Sequence, residues 1–256
     1  MLVGVILLGV LYTICYGTGM VTDFAYTVGA DDPGSLRAPD NLRDADLRDL
    51  FNGSAQAEAE AERASADPTT LTAAAALDVL ESLRVAGRAP QTGYDRGEFG
   101  PEWADVDGNG CDTRNDILAR DMTEETFQED TQDCVVLTGI LVDPYTATTI
   151  NFVRGQGTSG AVQIDHVVAL SDAWQKGAQA LTVEERTVLA NDPGNLWAVD
   201  GPTNSSKGDG DAATWLPPNT TFRCRYVTAQ VTVKAEYDLW VTAAERDAIT
   251  RVLETC

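Results

Sequence analysis

"AVQIDHVVALSDAW", residues 161–174, carries the only histidine of the 256-residue chain, His166, directly after an aspartate and inside an apolar run. The β-branched residues on either side of the Asp165-His166 pair make residues 161–170 read as a strand. A second stretch, "NLWAVDG" (195–201), reads as a short strand running into a turn, and Asn204 and Lys207-Gly208-Asp209 follow that turn. Strand, long connection, strand, turn and helix is an order that can bring Asp165, His166, Asn195, Asn204 and Lys207 together. One geometric demand comes with it. Neighbours on a regular strand point to opposite faces, so Asp165 and His166 serve one site only if the strand ends or bends at that pair.

The rest of the chain frames this unit. "LTAAAALDVLESLRVAG" (71–87) has Leu77, Leu80 and Leu83 at helical spacing and a closing glycine, so it predicts a helix. An acidic, Gly/Pro-rich stretch runs on to about residue 133. "CVVLTGILVDPYTATTINFVRG" (134–155) alternates around Pro144-Tyr145 and predicts a hairpin. Thr182 with Glu185, and Thr242 with Glu245, are capping boxes that start two further helices, and the chain from about Tyr226 reads as mainly helical. The expected fold class is α+β, a single mixed domain over residues 71–256 with helical flanks. Trp174, Trp197, Trp215 and Trp240 are expected in its core.

Residues 1–30 begin "MLVGVILLGVLYTICYGTGMV", with no charge before Asp23. They read either as a signal peptide ending at Val28-Gly29-Ala30 or as a membrane anchor through residues 2–21, and either would export the remainder of the chain. Residues 31–70 are Ala/Glu/Asp-biased and poor in large apolar side chains, the composition of a disordered linker. Outside the apolar segment stand Cys111, Cys134, Cys224 and Cys256. In an exported domain four cysteines predict two disulfides; of the three connectivities, nearest-neighbour pairing, Cys111–Cys134 and Cys224–Cys256, is preferred. With no C-x-x-C pair and one histidine, a zinc site is disfavoured.

The net charge of −22 is unevenly spread. Residues 95–133 hold 13 acids and 3 bases, whereas residues 145–235 hold 8 acids and 7 bases. An acidic chain repels polyanions, so any action on nucleic acid must lean on metal ions and local bases. The near-neutral region is the one around His166. It offers a carboxylate and amide oxygens, hard ligands suited to Mg²⁺ or Mn²⁺, and an imidazole that titrates near neutrality.

The ordered set "GYDRGEFGPEWADVDGNGCDTRNDILARD", "IDHVVALSDAWQKGA" and "NLWAVDGPTNSSKGDGDAATWLPPN" resembles the HNH endonucleases, the ββα-metal or His-Me finger group. Within that group it is most similar to the nuclease domain of GmrSD-type restriction enzymes and its secreted relatives, across most of residues 90–240. The resemblance implies a ββα-metal active site and an exported endonuclease acting on DNA, with RNA also open. In it His166 would be the general base and Asp165 and Asn204 would hold one Mg²⁺ or Mn²⁺. Asn195 would orient the loop or the imidazole, and Lys207 would contact a phosphate. Arg114 is a further candidate phosphate clamp. No base-recognition module, modification-reading domain or obligate protein partner is read in the chain.

A second motif stands apart. "DVDGNGCDTRND" (105–116) places Asp105, Asp107, Asn109 and Asp116 at ligand positions of an EF-hand-like loop, with Gly110 at the turn, and so raises a Ca²⁺ site. It departs from that pattern at Asp112, at Asp116 in place of Glu, and in lacking a clear entering helix. Two rival readings use the same residues: a serine hydrolase in which His166 activates Ser171, and a non-enzymatic envelope protein stabilised by Ca²⁺ at this loop.

Overall fold

The computed structural model describes residues 10–16, 19–25 and 71–256. In the N-terminal unit, strands β1 (Val10–Tyr16) and β2 (Gly19–Ala25) pair antiparallel, Val10 opposite Ala25 and Tyr16 opposite Gly19. The rest of the leader-or-anchor segment, residues 1–30, and the linker, residues 31–70, lie outside the described residues. Among the described residues no helix is long and apolar enough to cross a membrane.

The second unit has the α+β class that its sequence predicts. Helix α1 (Ala73–Ser82) starts where the Thr72 hydroxyl accepts the Ala75 amide, and it buries Ala76 and Leu80. It ends before Leu83, where the backbone turns extended. Helix α2 (Thr113–Asp121) and strand β3 (Thr123–Phe127) come next, in a stretch that reads from sequence as acidic loop. The reason is local. The buried residues of α2 are Thr113, Asn115, Ile117 and Leu118, half of them polar, so no apolar period announces the helix. Strand β3 carries Glu124 and Glu125 and pairs with an irregular register. Strands β4 (Val136–Val142) and β5 (Thr149–Val153) form the expected hairpin about Asp143–Thr148 and complete a sheet of order β3-β4-β5. Cys111–Cys134 joins the start of α2 to the strand entry of β4, and Cys224–Cys256 joins the C-terminus to a helix start, so both preferred pairings are present. The first closes a 23-residue loop around α2 and β3, a constraint on the unfolded chain of about 3 kcal/mol.

Strand β6 (Val162–His166) is shorter than its apolar run suggests. Val167 and Val168 are buried in the turn after it, and Leu170 opens helix α3 (Leu170–Gln175). Helix α4 (Val183–Asn191) begins at the Thr182/Glu185 capping box. Strand β7 (Leu196–Asp200) then pairs antiparallel with β6, His166 opposite Leu196 and Val162 opposite Asp200. The chain turns at once into helix α5 (Gly201–Lys207), with the Asp200 carboxylate accepting the Thr203 amide. A side chain at position 201 would meet the Gly160 carbonyl at 2.0 Å, so glycine lets α5 start hard against the 159–161 turn. Helices α6 (Arg223–Glu236) and α7 (Ala243–Leu253) close the fold, the latter from the Thr242/Glu245 capping box.

The β6–β7 ribbon is buried on both faces. Val162, Ile164, Leu196 and Ala198 pack with Ile117, Leu118 and Phe152 of the β-sheet side. Val199 and Trp197 pack with Tyr145, Tyr226 and α1, α6 and α7 on the other. Trp174 is buried as expected, Trp197 and Trp215 pack against the core, and Trp240 is half-covered, its indole N–H donating to the Gly87 carbonyl.

A buried ion network holds α3, α6 and α7 together. Lys176 contacts Asp172, Asp211 and Glu245 at 2.6–2.7 Å, Lys234 contacts Asp172 and Glu245 at 3.1 and 2.9 Å, and Arg88 reaches Asp172 and Asp211 from the rim. Three cations therefore balance three carboxylates. Burial opposes the charged forms of Asp172 and Asp211, but their cationic neighbours outweigh it and lower both pKa values below 3.8. A lowered carboxylate pKa stabilises the fold above the unfolded value, and that contribution disappears as pH falls through the folded value. Stability should therefore drop as pH goes below 4. Lys234→Met, which leaves a buried carboxylate uncompensated, should cost about 3–5 kcal/mol in urea denaturation at neutral pH. A loss near zero would show that the network contributes nothing net.

Candidate active site

The three elements β6, β7 and α5 form a strand–strand–helix finger, and the candidate residues sit at its open end. His166 is the last residue of β6, 8 % exposed. Asp165 points to the opposite face, as strand geometry requires, yet both border one polar cavity of about 260 Å³, because the strand stops at His166 and the cavity wraps its end. Asn204, Ser171 and Asp209 line the same cavity.

The imidazole is held from several sides. Nε2 lies 2.8 Å from the Ala190 carbonyl, which only accepts, so Nε2 carries the proton and Nδ1 the lone pair. Burial, opposed in part by that hydrogen bond and reinforced by the charges of Arg96 and Lys207, lowers the His166 pKa to about 4. The ring is therefore neutral at pH 7. Trp103 stacks on it with centroids 6.2 Å apart.

Asn195 makes no contact with the ring but fixes what carries it. Fully buried, it accepts the Val168 amide on Oδ1 at 2.8 Å and donates from Nδ2 to the carbonyls of Val168 and Leu189. Its backbone carbonyl takes the Val167 amide at 2.8 Å. One amide thus ties the residues after His166 to the residue preceding Ala190, the imidazole's partner.

Asp165 is 5 % exposed and accepts on Oδ2 from the Lys207 ammonium, at 2.6 Å, and from the Tyr145 hydroxyl. Burial and the Asp165 charge raise the Tyr145 pKa well above its usual value, so its phenol stays protonated and donates. Lys207 also donates to the His166 carbonyl at 2.5 Å, and its side chain is fully buried. Its ammonium is thus engaged behind the site and does not face solvent as a phosphate contact. Asn204 donates from Nδ2 to Gln163 Oε1 at 2.9 Å, which fixes how the amide is turned.

Arg114 borders neither cavity beside His166. It lies half-buried on α2, where burial and the nearby Arg154 lower its pKa. Ser171 donates to Asp209 at 3.1 Å and accepts from Gln91 at 2.8 Å, so the hydrogen bonds of its hydroxyl do not include His166. Arg96, Trp103 and Tyr145, which sequence reasoning passes over, surround the pair. Their signal is faint: Tyr145 marks a hairpin turn, and Trp103 and Arg96 stand in the acidic loop region.

In the 105–116 loop the four expected ligand residues do converge. Asp105 accepts the amides of Gly108, Asn109 and Gly110, while Asn109 bridges Asp107 and Asp116 through its Nδ2. Asp116 lies on α2, the helix leaving the loop, and burial together with nearby carboxylates raises its pKa. Among the described residues no group of three or more His, Cys, Asp or Glu side chains is arranged to hold a metal ion.

The site geometry makes one spectroscopic prediction. Long-range ¹H–¹⁵N NMR of the single histidine at pH 7 should show the Nε2–H tautomer with a bare Nδ1. A proton on Nδ1 would contradict the orientation derived from Ala190.

The comparisons with known proteins point the same way. No solved structure matches the chain. A protein of Arthroderma benhamiae described as an uncharacterized secreted protein is 38% identical over 191 residues, covering 74% of this chain and 88% of that protein. Residues 112–252, more than half of the chain and the whole of the β6–β7–α5 finger, match the family "GmrSD restriction endonucleases, C-terminal domain". The chain belongs to that family, and its domain is of the nuclease type.

Proposed function

We propose that the protein is an exported, metal-dependent endonuclease of the HNH type that hydrolyses phosphodiester bonds in DNA, with RNA as a second substrate. The observation that supports this most is that Asp165, His166 and Asn204 border one cavity, with the imidazole held neutral and its Nδ1 free of the Ala190 bond. A neutral, fixed imidazole is the form a general base needs. His166 Nδ1 takes a proton from water directed at phosphorus. Asn195 keeps the imidazole and its carbonyl partner in register, acting as a positioning residue.

Asp165 and Asn204 would hold one Mg²⁺ or Mn²⁺. Their carboxylate and amide oxygens are the donor types such ions take, and Lys207 and Tyr145 both engage Asp165 Oδ2, which leaves Oδ1 for an ion. When bound, such an ion stabilises charge on the phosphate and on the departing 3′ oxygen. Lys207 then orients Asp165. A Ca²⁺ at Asp105, Asp107, Asn109 and Asp116 would be a second, structural ion; it rests on their spacing in the sequence, because in the structure Asp105 accepts backbone amides and Asn109 turns its Nδ2 to Asp107 and Asp116. Export is supported by the description of the Arthroderma benhamiae relative as secreted and by the two disulfides.

The test is plasmid cleavage by the oxidised full chain in Mg²⁺ or Mn²⁺, beside EDTA and beside His166→Ala. Nicking and linearisation are expected with metal, with a loss of about 100-fold or more in the variant and no cleavage in EDTA. Undiminished activity in EDTA would favour Ser171 chemistry. Folded but inert protein on DNA and RNA, with a melting temperature raised by Ca²⁺, would favour the non-enzymatic reading.

A further inference from the structure

Two cavities meet at His166. The polar one holds Asp165 and Asn204; a smaller one of about 70 Å³ runs along Phe99, Trp103 and Leu170. Arg96 borders both. It is exposed and makes no ion pair among the described residues. That is unusual company for a guanidinium, because its own segment, residues 95–133, carries 13 acids against 3 bases.

Its neighbours of like charge are committed elsewhere. Arg120 is bound to Asp121 and to the carbonyls of Pro193 and Leu196, and Arg186 to the carbonyls of Glu98 and Leu181. Lys207 is buried on Asp165. Among the described residues Arg96 is thus the one guanidinium or ammonium group lining the two cavities.

The backbone that carries it is anchored. The 3₁₀ turn Arg96–Phe99 is capped by Asp95, whose carboxylate accepts the Gly97 amide. Phe99 is 2 % exposed and packs with Tyr94 and Trp174, and Arg186 holds the Glu98 carbonyl at 2.6 Å. The turn ends at Gly100, with φ of +77°, where a side chain would run into Thr187. An exposed guanidinium on an anchored turn, bordering the cavity that holds His166, suits an anion that must be drawn in and held. Arg presents parallel N–H donors that match phosphate oxygens.

We propose that Arg96 is a catalytic residue that grips the non-bridging oxygens of the scissile phosphodiester, an inference that rests on the nuclease reading above. In that step the water oxygen bonds to phosphorus as the P–O3′ bond breaks. The water proton passes to His166 Nδ1, and the departing 3′ oxygen takes a proton from solvent. Arg96 exchanges no proton; it stabilises the charge that builds on the phosphate oxygens.

The experiment compares the full-length protein with Arg96→Ala, Arg96→Lys and His166→Ala. Arg96→Ala should keep the wild-type melting temperature and lose about 100-fold in kcat/KM on a DNA duplex, with Arg96→Lys between the two. Binding of the same duplex in EDTA, followed by fluorescence anisotropy, should lose about 0.9 from the slope of log affinity against log salt, the signature of one phosphate contact. If Arg96→Ala cleaves within about twofold of wild type while His166→Ala is inactive, the inference on Arg96 fails and the nuclease reading stands. An inert wild type overturns both.

Discussion

The ion pair between Lys207 and Asp165 is the constraint on which the site depends. It joins the last turn of α5 to the end of β6, and both side chains are buried, the lysine completely. Either charge alone in that position would cost several kcal/mol, so neither residue can be separated from the other. The lysine also donates to the His166 carbonyl, and Tyr145 completes the shell of Asp165. One ammonium therefore fixes a carboxylate, the backbone of the histidine and the helix that carries Asn204. On the other side of the strand Asn195 performs the matching task for the turn after His166. The imidazole is held between two buried polar anchors, each shared with a different strand or helix of the finger.

The charge distribution follows from the same arrangement. Much of the excess acidity lies in residues 95–133, ahead of the finger, while within the finger Lys207 neutralises Asp165. A polyanionic substrate would meet repulsion over much of the surface, so approach depends on what the cavity itself offers. The disulfides tie two segments to the domain. Cys111–Cys134 encloses α2 and β3, elements with few large apolar side chains of their own, and Cys224–Cys256 ties down the chain end behind α7.

Much of this was legible in the sequence, for identifiable reasons. The β-branched run before His166, the "NLWAVDG" strand and the two capping boxes are local signals, and each became the element it predicts. Asp165, His166 and Asn204 border one cavity because an antiparallel strand pair that runs straight into a helix brings the end of the first strand beside that helix, whereas Asn195 lies off the cavity, bonded to the turn after His166. Helix α2 was not legible, since its inward face includes Thr113 and Asn115, whose burial depends on Ala104, Asp112 and Val136 as partners. Lys207 reads from sequence as a phosphate contact because nothing local reveals Asp165 as its partner 42 residues away. Trp103, Tyr145 and Arg96 reach the site through tertiary packing alone, from regions whose sequence says only turn or acidic loop.

Because His166 is the only histidine, the proposed sharing of one metal-binding cavity by Asp165, Asn204 and the imidazole is open to one direct measurement. Mn²⁺ should be titrated into the protein while the imidazole proton resonances are followed by NMR. Selective broadening of those resonances is expected at substoichiometric Mn²⁺, with about tenfold or more additional ion needed in Asn204→Ala. Sharp imidazole resonances in a sample that binds Mn²⁺ would contradict it, because the ion would then lie elsewhere on this acidic chain.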